Sequence, residues 1–466
     1  MKTPWLFALL FAILLSAKLC HVGVLWAEED LPLAAAKQML MGKVLYREAW
    51  FDKPPLVPAI YLLWGARIGW ILRLASSLYA LLAAWFAYRF AMDLWSRAEG
   101  LWAASLLTFF LIFDTPSAAL PMAADLLMLA PHIAAIWLAW KKRPLLSGIA
   151  CGIAFLFNAK AAFVLAACAV FCFPQVSLLA VGFAIPCGIA AIWLGATGAL
   201  PFYIDSVWIW SSLYAGSSHV PNPFGNAALR TINWLGFHVA LLIASAAWWF
   251  RREPIRLKML VWALISFLGV SLGWRFFPRY FFQLIPVLVI VASRGFVLLG
   301  RKRLIALAFL LIPVIRFGPR YPMLALGMQP DWSDLAMDRD SREASALVRA
   351  QSRPGDSLFV WGYRPEMFVY TGLPAATRYL DCQALTGVPA DRHLTQSNPV
   401  TTRGLAEARA ALTQSRPDFI VDGLSPYNPR LAMSTFPEMH VWLTRYREIA
   451  RTKYSVIYRH IPPDQP

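Results

Sequence analysis

The chain has 466 residues, of which 59% are hydrophobic and 15% charged, and its mean hydropathy is +0.54. Soluble domains carry about 25% charged residues, so an ordinary soluble protein is excluded and a polytopic membrane protein is expected. The net charge of +17 does not point to nucleic acid: 17 Arg/Lys and 15 Asp/Glu from Pro319 onward leave the tail near neutral, and the surplus lies among apolar blocks, where positive charge sets topology.

The first apolar segment, 5–25, follows Met1-Lys2 directly. It lacks an Ala-x-Ala cleavage site, and Ala17-Lys18-Leu19-Cys20 is a poor lipoprotein site, so it reads as an uncleaved span. Just beyond it stand three carboxylates in a row, Glu28, Glu29 and Asp30. Charge this close to a bilayer is costly unless solvated, paired or used. Leu31 to Met41 is apolar enough to lie in the interface as a short helix. Pro32 suits its first turn, and the carboxylates complement its dipole. One reading is therefore an acidic helix cap; the other is a general base at the membrane face. Gly42 ends the helix, Tyr46, Trp50 and Phe51 form an aromatic patch, and Asp52-Lys53-Pro54-Pro55 forces an extended entry into the next apolar stretch.

Ten further apolar segments follow, at 68–92, 98–114, 120–140, 145–157, 159–174, 176–196, 231–250, 257–273, 280–299 and 303–319. With the first they predict about eleven transmembrane helices. Lys141-Lys142-Arg143, Arg251-Arg252 with Arg256 and Lys258, and Arg301-Lys302-Arg303 fall on alternate loops, on the same side as Lys2. The positive-inside rule makes that side cytoplasmic and gives an N-in, C-out topology. The loop 26–67, Asp114 to Pro121, the loop 197–230 and the tail then face outward. Asp114 reads as a cap or turn residue. Asp125 opens the fourth span and is either an N-cap or a functional acid. Lys160, in Asn158-Ala159-Lys160, either snorkels or neutralises a phosphate. Arg275 and Arg279, in Trp274-Arg275-Phe276-Phe277-Pro278-Arg279-Tyr280, are suited to holding phosphate oxygens bidentately; the alternative is an aromatic belt with two anchoring cations. The loop from Pro201 holds Tyr203, Asp205, Tyr214, His219 and Asn222-Pro223 and is a candidate lid, with His219 read as a surface residue. The six cysteines show no metal or disulfide spacing, and Cys168 and Cys172 are read as packing residues.

The tail, 320–466, is a different material. Helices are expected at Asp334 to Ser352, Thr402 to Ser415 and Val441 to Arg451. Strands are expected at Ser357 to Trp361, Phe419 to Val421 and Tyr454 to Tyr458, with turns at Pro354-Gly355-Asp356 and Arg416-Pro417-Asp418. That alternation suggests a small α/β domain with a mostly parallel sheet. No Gly-x-Gly-x-x-Gly follows a strand, so a dinucleotide site is unsupported.

One linked pattern is more specific. Glu29-Asp30, Ala35-Ala36, Gly42-Lys43-Val44-Leu45-Tyr46 and Trp50-Phe51-Asp52-Lys53-Pro54-Pro55 occur in that order. The pattern resembles the first outer loop of the GT-C membrane glycosyltransferases, such as the bacterial aminoarabinose transferase and protein O-mannosyltransferases. The tail, through Gly355-Asp356-Ser357-Leu358-Phe359-Val360-Trp361-Gly362 and Tyr370-Thr371-Gly372, resembles the soluble domain of some bacterial members. The resemblance implies a transmembrane catalytic domain over 1–319, with loops 26–67 and 197–230 at the active site, and a soluble extracytoplasmic α/β domain over 320–466. It implies transfer of a sugar from a polyprenyl-phosphate donor to a hydroxyl or phosphate of a glycan, lipid or protein acceptor, at the outer face of a bacterial-type inner membrane. Glu29 and Asp30 match the acidic pair, with Glu29 at the usual catalytic position, and Glu28 leaves that register open by one. Asp125 matches a second acidic position. Lys53, Lys160, Arg275, Arg279 and Tyr280 are the expected donor-phosphate residues, and Asp52, Tyr46 and Tyr203 are additional candidates. Relatives carry His-Tyr where this chain has Arg279-Tyr280. A single displacement inverts the anomeric centre. It demands no metal or other cofactor and excludes none. A transporter or flippase, which would want charges near mid-membrane, and an envelope-assembly scaffold are the competing classes.

Overall fold

The computed structural model describes residues 3–216, 220, 222–328 and 330–461; Lys2 and His219 lie outside the described residues. Each of the eleven apolar segments is helical. Among the described residues four helices are long and apolar enough to cross a membrane alone: Trp70–Leu94, Val176–Ala196, Arg256–Trp274 and Gly300–Ala325. A fifth crossing is available if Pro223–Phe237 and Val239–Trp249, bent by 85° at His238, act as one. The helices Thr3–Leu19, Ala124–Trp140, Pro144–Phe157, Ala161–Cys172 and Ile285–Leu298 are apolar but shorter, so helix length and composition do not themselves give a count of eleven.

The helices form one core in which Leu107, Phe110, Ile133, Ile136, Ile290 and Phe296 are fully buried. Lipid gives little hydrophobic drive between helices, so close backbone approach matters. Gly295, on Ile285–Leu298, shows it: a Cβ there would lie 1.8 Å from the carbonyl oxygen of Ala244 on Val239–Trp249.

The loop after the first span forms the helix Ala27–Leu40. Its first turn carries Glu28, Glu29 and Asp30, as the dipole favours; because the helix starts at Ala27 rather than Leu31, Pro32 lies inside it and not in its first turn, which corrects that expectation. Gly42, at φ +90°, turns the chain out of it through a conformation that favours glycine.

The tail contains a four-stranded sheet: β1 (Leu358–Trp361), β2 (Phe419–Asp422), β3 (Tyr446–Arg451) and β4 (Val456–His460), in the order β1-β2-β4-β3. Only β1 and β2 pair in parallel; β2–β4 and β3–β4 are antiparallel. The expectation of a mostly parallel sheet is thus corrected, and so is the helix at Val441 to Arg451. Pro437 starts a short helix that stops at Leu443, and Tyr446–Arg451 then forms a hairpin with β4, closed by Thr452 N–H donating to Ser455 O. Its apolar residues satisfy either period on so short a stretch, and cross-strand pairing decides. The expected helix at Asp334 to Ser352 is Ser333–Gln351.

The tail does not hang free. One apolar cluster joins Leu31, Leu33, Ala35, Tyr46 and Phe51 of the first loop to Val348, Val360, Phe368, Phe419 and Ile457 of the tail. Backbone partners cross the same seam: Leu25 N–H donates to Asp338, Trp50 N–H donates to Arg378 O at 2.7 Å, and Ala375 N–H donates to Gln38 at 2.9 Å.

Candidate active site

The three consecutive carboxylates point in three directions, because successive residues on a helix are about 100° apart. Glu29 turns into the protein. Its carboxylate is fully buried and receives both Arg73 guanidinium nitrogens, at 2.5 and 3.2 Å. It also accepts Met122 N–H at 3.0 Å and Trp26 N–H at 3.2 Å. Every acceptor direction is occupied, so Glu29 ties the loop helix to the helix Trp70–Leu94 and to the entry of the fourth apolar segment. Expected at the catalytic position, Glu29 is here fully paired and lines no cavity among those described. Asp30 is also buried, accepts its neighbour's Leu31 N–H, and is held above the ordinary carboxylate range by burial first and then by Glu366 of the tail. It belongs to the seam with the tail.

Glu28 is the member that faces a cavity. That cavity, about 10 Å³, is lined by Glu28, Asp52, Lys53, Phe51, Ala124 and Tyr363, among others. It has room for about one water. Glu28 Oε1 meets Arg279 Nη1 at 2.5 Å, and Arg279 Nε lies 3.8 Å from Asp125 Oδ2. Asn158 Nδ2 donates to Asp125 Oδ1 at 2.9 Å. Asp125 is not the helix N-cap; Ala123 holds that position and no side chain caps the end. Lys160 Nζ sits 2.8 Å from the centroid of the Tyr280 ring. It is buried and has no hydrogen-bond partner among the described residues. A buried ammonium without a hydrogen-bond acceptor is expensive, and what this one meets is the face of the Tyr280 ring.

The wall opposite is mixed. Lys53 Nζ contacts both Asp52 oxygens at 3.1 Å. Tyr46 donates its hydroxyl to Lys53 O at 2.8 Å, and its ring lies 5.1 Å from that of Tyr203; both tyrosines stand behind the wall and support it. Arg275 is committed elsewhere than expected. It pairs with Asp391 of the tail, donates to the Tyr214 hydroxyl at 2.6 Å, and stacks over the Tyr214 ring. It latches the tail to one end of the helices rather than lining the cavity. Asp114 accepts Thr115 N–H at 2.6 Å, as a turn residue does, and faces His238 at 3.5 Å.

Four contributors escaped the sequence reading. Arg73 had a usable signal: an arginine inside an apolar span requires a partner. Tyr363, Asp381 and Asp391 come from the tail and had none. Burial, then Asp52, Asp381, Asp30 and Glu28, hold the Tyr363 phenol well above its usual range, so it remains a hydrogen-bond donor. Asp381 is fully buried without an ion-pair partner among the described residues, and burial first, with Asp52 adding, pushes it to about 7.

No family model and no curated protein matches this chain by sequence. Solved structures do match. ArnT from Cupriavidus metallidurans bound to undecaprenyl phosphate superposes with a TM-score of 0.60 at 17% identity, covering 99% of each chain. The apo form of that protein gives 0.62 at 16% identity, covering 98% of each chain. A looser likeness, TM-score 0.48 at 13% identity over 98% of this chain and 74% of the other, is to the Archaeoglobus fulgidus oligosaccharyltransferase. At such identities the likeness shows the fold alone: from end to end this chain shares the architecture of ArnT.

Proposed function

We propose that this protein is an inverting glycosyltransferase that moves a sugar from a polyprenyl-phosphate donor to an acceptor at the outer face of the membrane. The observation that carries the reading is a partly open carboxylate, Glu28, lining one small cavity with Lys53, with Arg279 paired to it, Asp125 beside that arginine and the buried, acceptor-less ammonium of Lys160 nearby. The solved relative with the same fold binds undecaprenyl phosphate, which fits an anion entering between Lys160, Arg279 and Lys53.

In this reading the donor phosphodiester, a monoanion with two oxygens for the guanidinium fork, takes Arg279 from Glu28, and the hold tightens as the leaving phosphate gains its second charge. The exchange opens the cavity and frees the base together. Glu28 then takes the proton of the acceptor hydroxyl. The acceptor oxygen forms its bond to the anomeric carbon as the bond from that carbon to the phosphate oxygen breaks. The polyprenyl phosphate leaves with the electron pair, stabilised by Lys160, Arg279 and Lys53. Asp125, held by Asn158, keeps Arg279 on the cavity side. The attack from the face opposite the phosphate inverts the centre.

The test is a transfer assay. Membranes holding the protein receive a radiolabelled polyprenyl-phosphate sugar, and label is followed into lipid, glycan and protein. Loss of transfer in Glu28→Gln at normal protein level supports the reading. Full activity in both Glu28→Gln and Asp125→Asn overturns it.

A further inference from the structure

A second cavity lies at the other end of the helices. The helix Ile285–Leu298 begins just after Arg279 and Tyr280 and ends at Leu299. Its length puts its far end roughly 20 Å from the candidate active site. There, a cavity of about 480 Å³ is lined by Ala247, Arg251, Leu298, Leu299, Arg301 and Lys302. Its origin is visible in the packing. Gly295 presses against Ala244 so closely that no Cβ fits. One turn further along both helices, at Leu298 and Ala247, the gap between them is open.

Three of its six lining residues are cations, all exposed, and none has a carboxylate partner among the described residues. Neighbours at the same end are treated differently. Arg294 is held by Glu99 and Glu253, Lys141 by Asp93, and Arg256 lies over the Trp249 ring. Arg251, Arg301 and Lys302 thus keep their charge available around one space. Beside them in the chain, large apolar side chains are exposed: Phe250 at 81%, Leu304 at 68% and Ile305 at 61%. Water would not favour that neighbourhood; acyl chains would. A soluble anion uses only the cations, whereas a lipid uses both halves.

We propose that this cavity binds the headgroup of an anionic phospholipid carrying more than one phosphate. Three free cations around one opening match a headgroup with at least two negative charges, and the exposed apolar rim matches its chains. Basic pockets between membrane helices suit such headgroups. The proposal is independent of the transfer reaction and involves none of its residues.

The experiment uses the full-length protein in nanodiscs of phosphatidylcholine alone or with added tetraoleoyl cardiolipin, read by thermal unfolding and by lipid retention in native mass spectrometry. Cardiolipin is expected to raise the melting temperature and to be retained. The combined variant Arg251→Gln, Arg301→Gln, Lys302→Gln loses both effects. Affinity falls roughly fivefold per cation, on the order of a hundredfold together. A control pair at the same end, Arg143→Gln with Lys258→Gln, keeps both effects. If the triple variant does not fold in phosphatidylcholine, the three single variants are read in its place, each with its own fivefold loss. The proposal is overturned if the charge-depleted protein responds to cardiolipin as the parent does, or if the control pair loses the response equally. It is also overturned if inorganic phosphate alone reproduces the stabilisation, which would make the site one for a soluble anion.

Discussion

Two faces of one short helix hold two Arg–Glu pairs at the same 2.5 Å, Glu29 with Arg73 and Glu28 with Arg279. Their surroundings differ. The first pair is sealed, with side chains 2% and 0% exposed; the second is partly open, at 23% and 24%. Distance therefore does not tell which pair is structural. A sealed pair whose remaining lone pairs are all filled holds the fold together, because removing one member strands the other in low dielectric. A partly open pair beside a cavity is exchangeable, because an incoming anion can take the carboxylate's place on the arginine.

The sharpest way to break this comparison is Glu28→Gln. Transfer from a polyprenyl-phosphate sugar is expected to fall by about 10²–10⁴, the usual contribution of a general base, with the melting temperature within a few degrees of the parent. Glu29→Gln should do the reverse. It should cost about 3–5 kcal/mol of stability, read as lost folded protein in detergent. The paired change Glu29→Leu with Arg73→Met should recover most of it, as removing both charges of a buried pair often does.

Asp381 sharpens the comparison as a buried carboxyl with no arginine partner among the described residues. Its folded value of about 7 lies above the ordinary 3.8. The folded state therefore keeps a proton that the unfolded chain has released between those values. The stability this confers is complete below the lower value and is lost as pH rises through about 7. Asp381→Asn should level that decline, gaining up to a few kcal/mol at pH 8 and little at pH 4, measured by thermal melts across the range. The smallest expected effect is Lys160→Met. It removes one charge-assisted contact worth about 1.5–3 kcal/mol, so the donor KM should rise roughly tenfold or more while folding is unharmed. A purely structural Lys160 would lower stability and leave that KM alone.

Much of this was legible from residue order. The apolar blocks marked the helices, and three carboxylates beyond the first of them marked the loop. The Lys53-Pro54-Pro55 step, Asp125, Lys160 and Arg279 were all placed near the same locus. What could not be read was the phase of the loop helix. Glu28, Glu29 and Asp30 are alike in chemistry, and one residue of register decides which meets Arg73 and which meets the cavity. That choice depends on where the helix Trp70–Leu94 presents Arg73, a tertiary fact. Arg275 illustrates the same limit. An arginine beside aromatics at the outer face suits a phosphate, but Asp391, more than a hundred residues away, reaches it first. The hairpin at Tyr446–Arg451 was misread because six residues support two periods equally.

The seam between the first loop and the tail carries a consequence for how the molecule is made. Leu25 is joined to Asp338 across 313 positions and Gln38 to Leu373 across 335. During synthesis the loop helix leaves the ribosome early, yet its apolar side has no cover until the last third of the chain arrives. Contacts of such sequence separation close slowly. The loop bearing Glu28 is thus fixed only when the polypeptide is nearly finished, and a chain that stops before the sheet forms carries the acid without the wall that aims it.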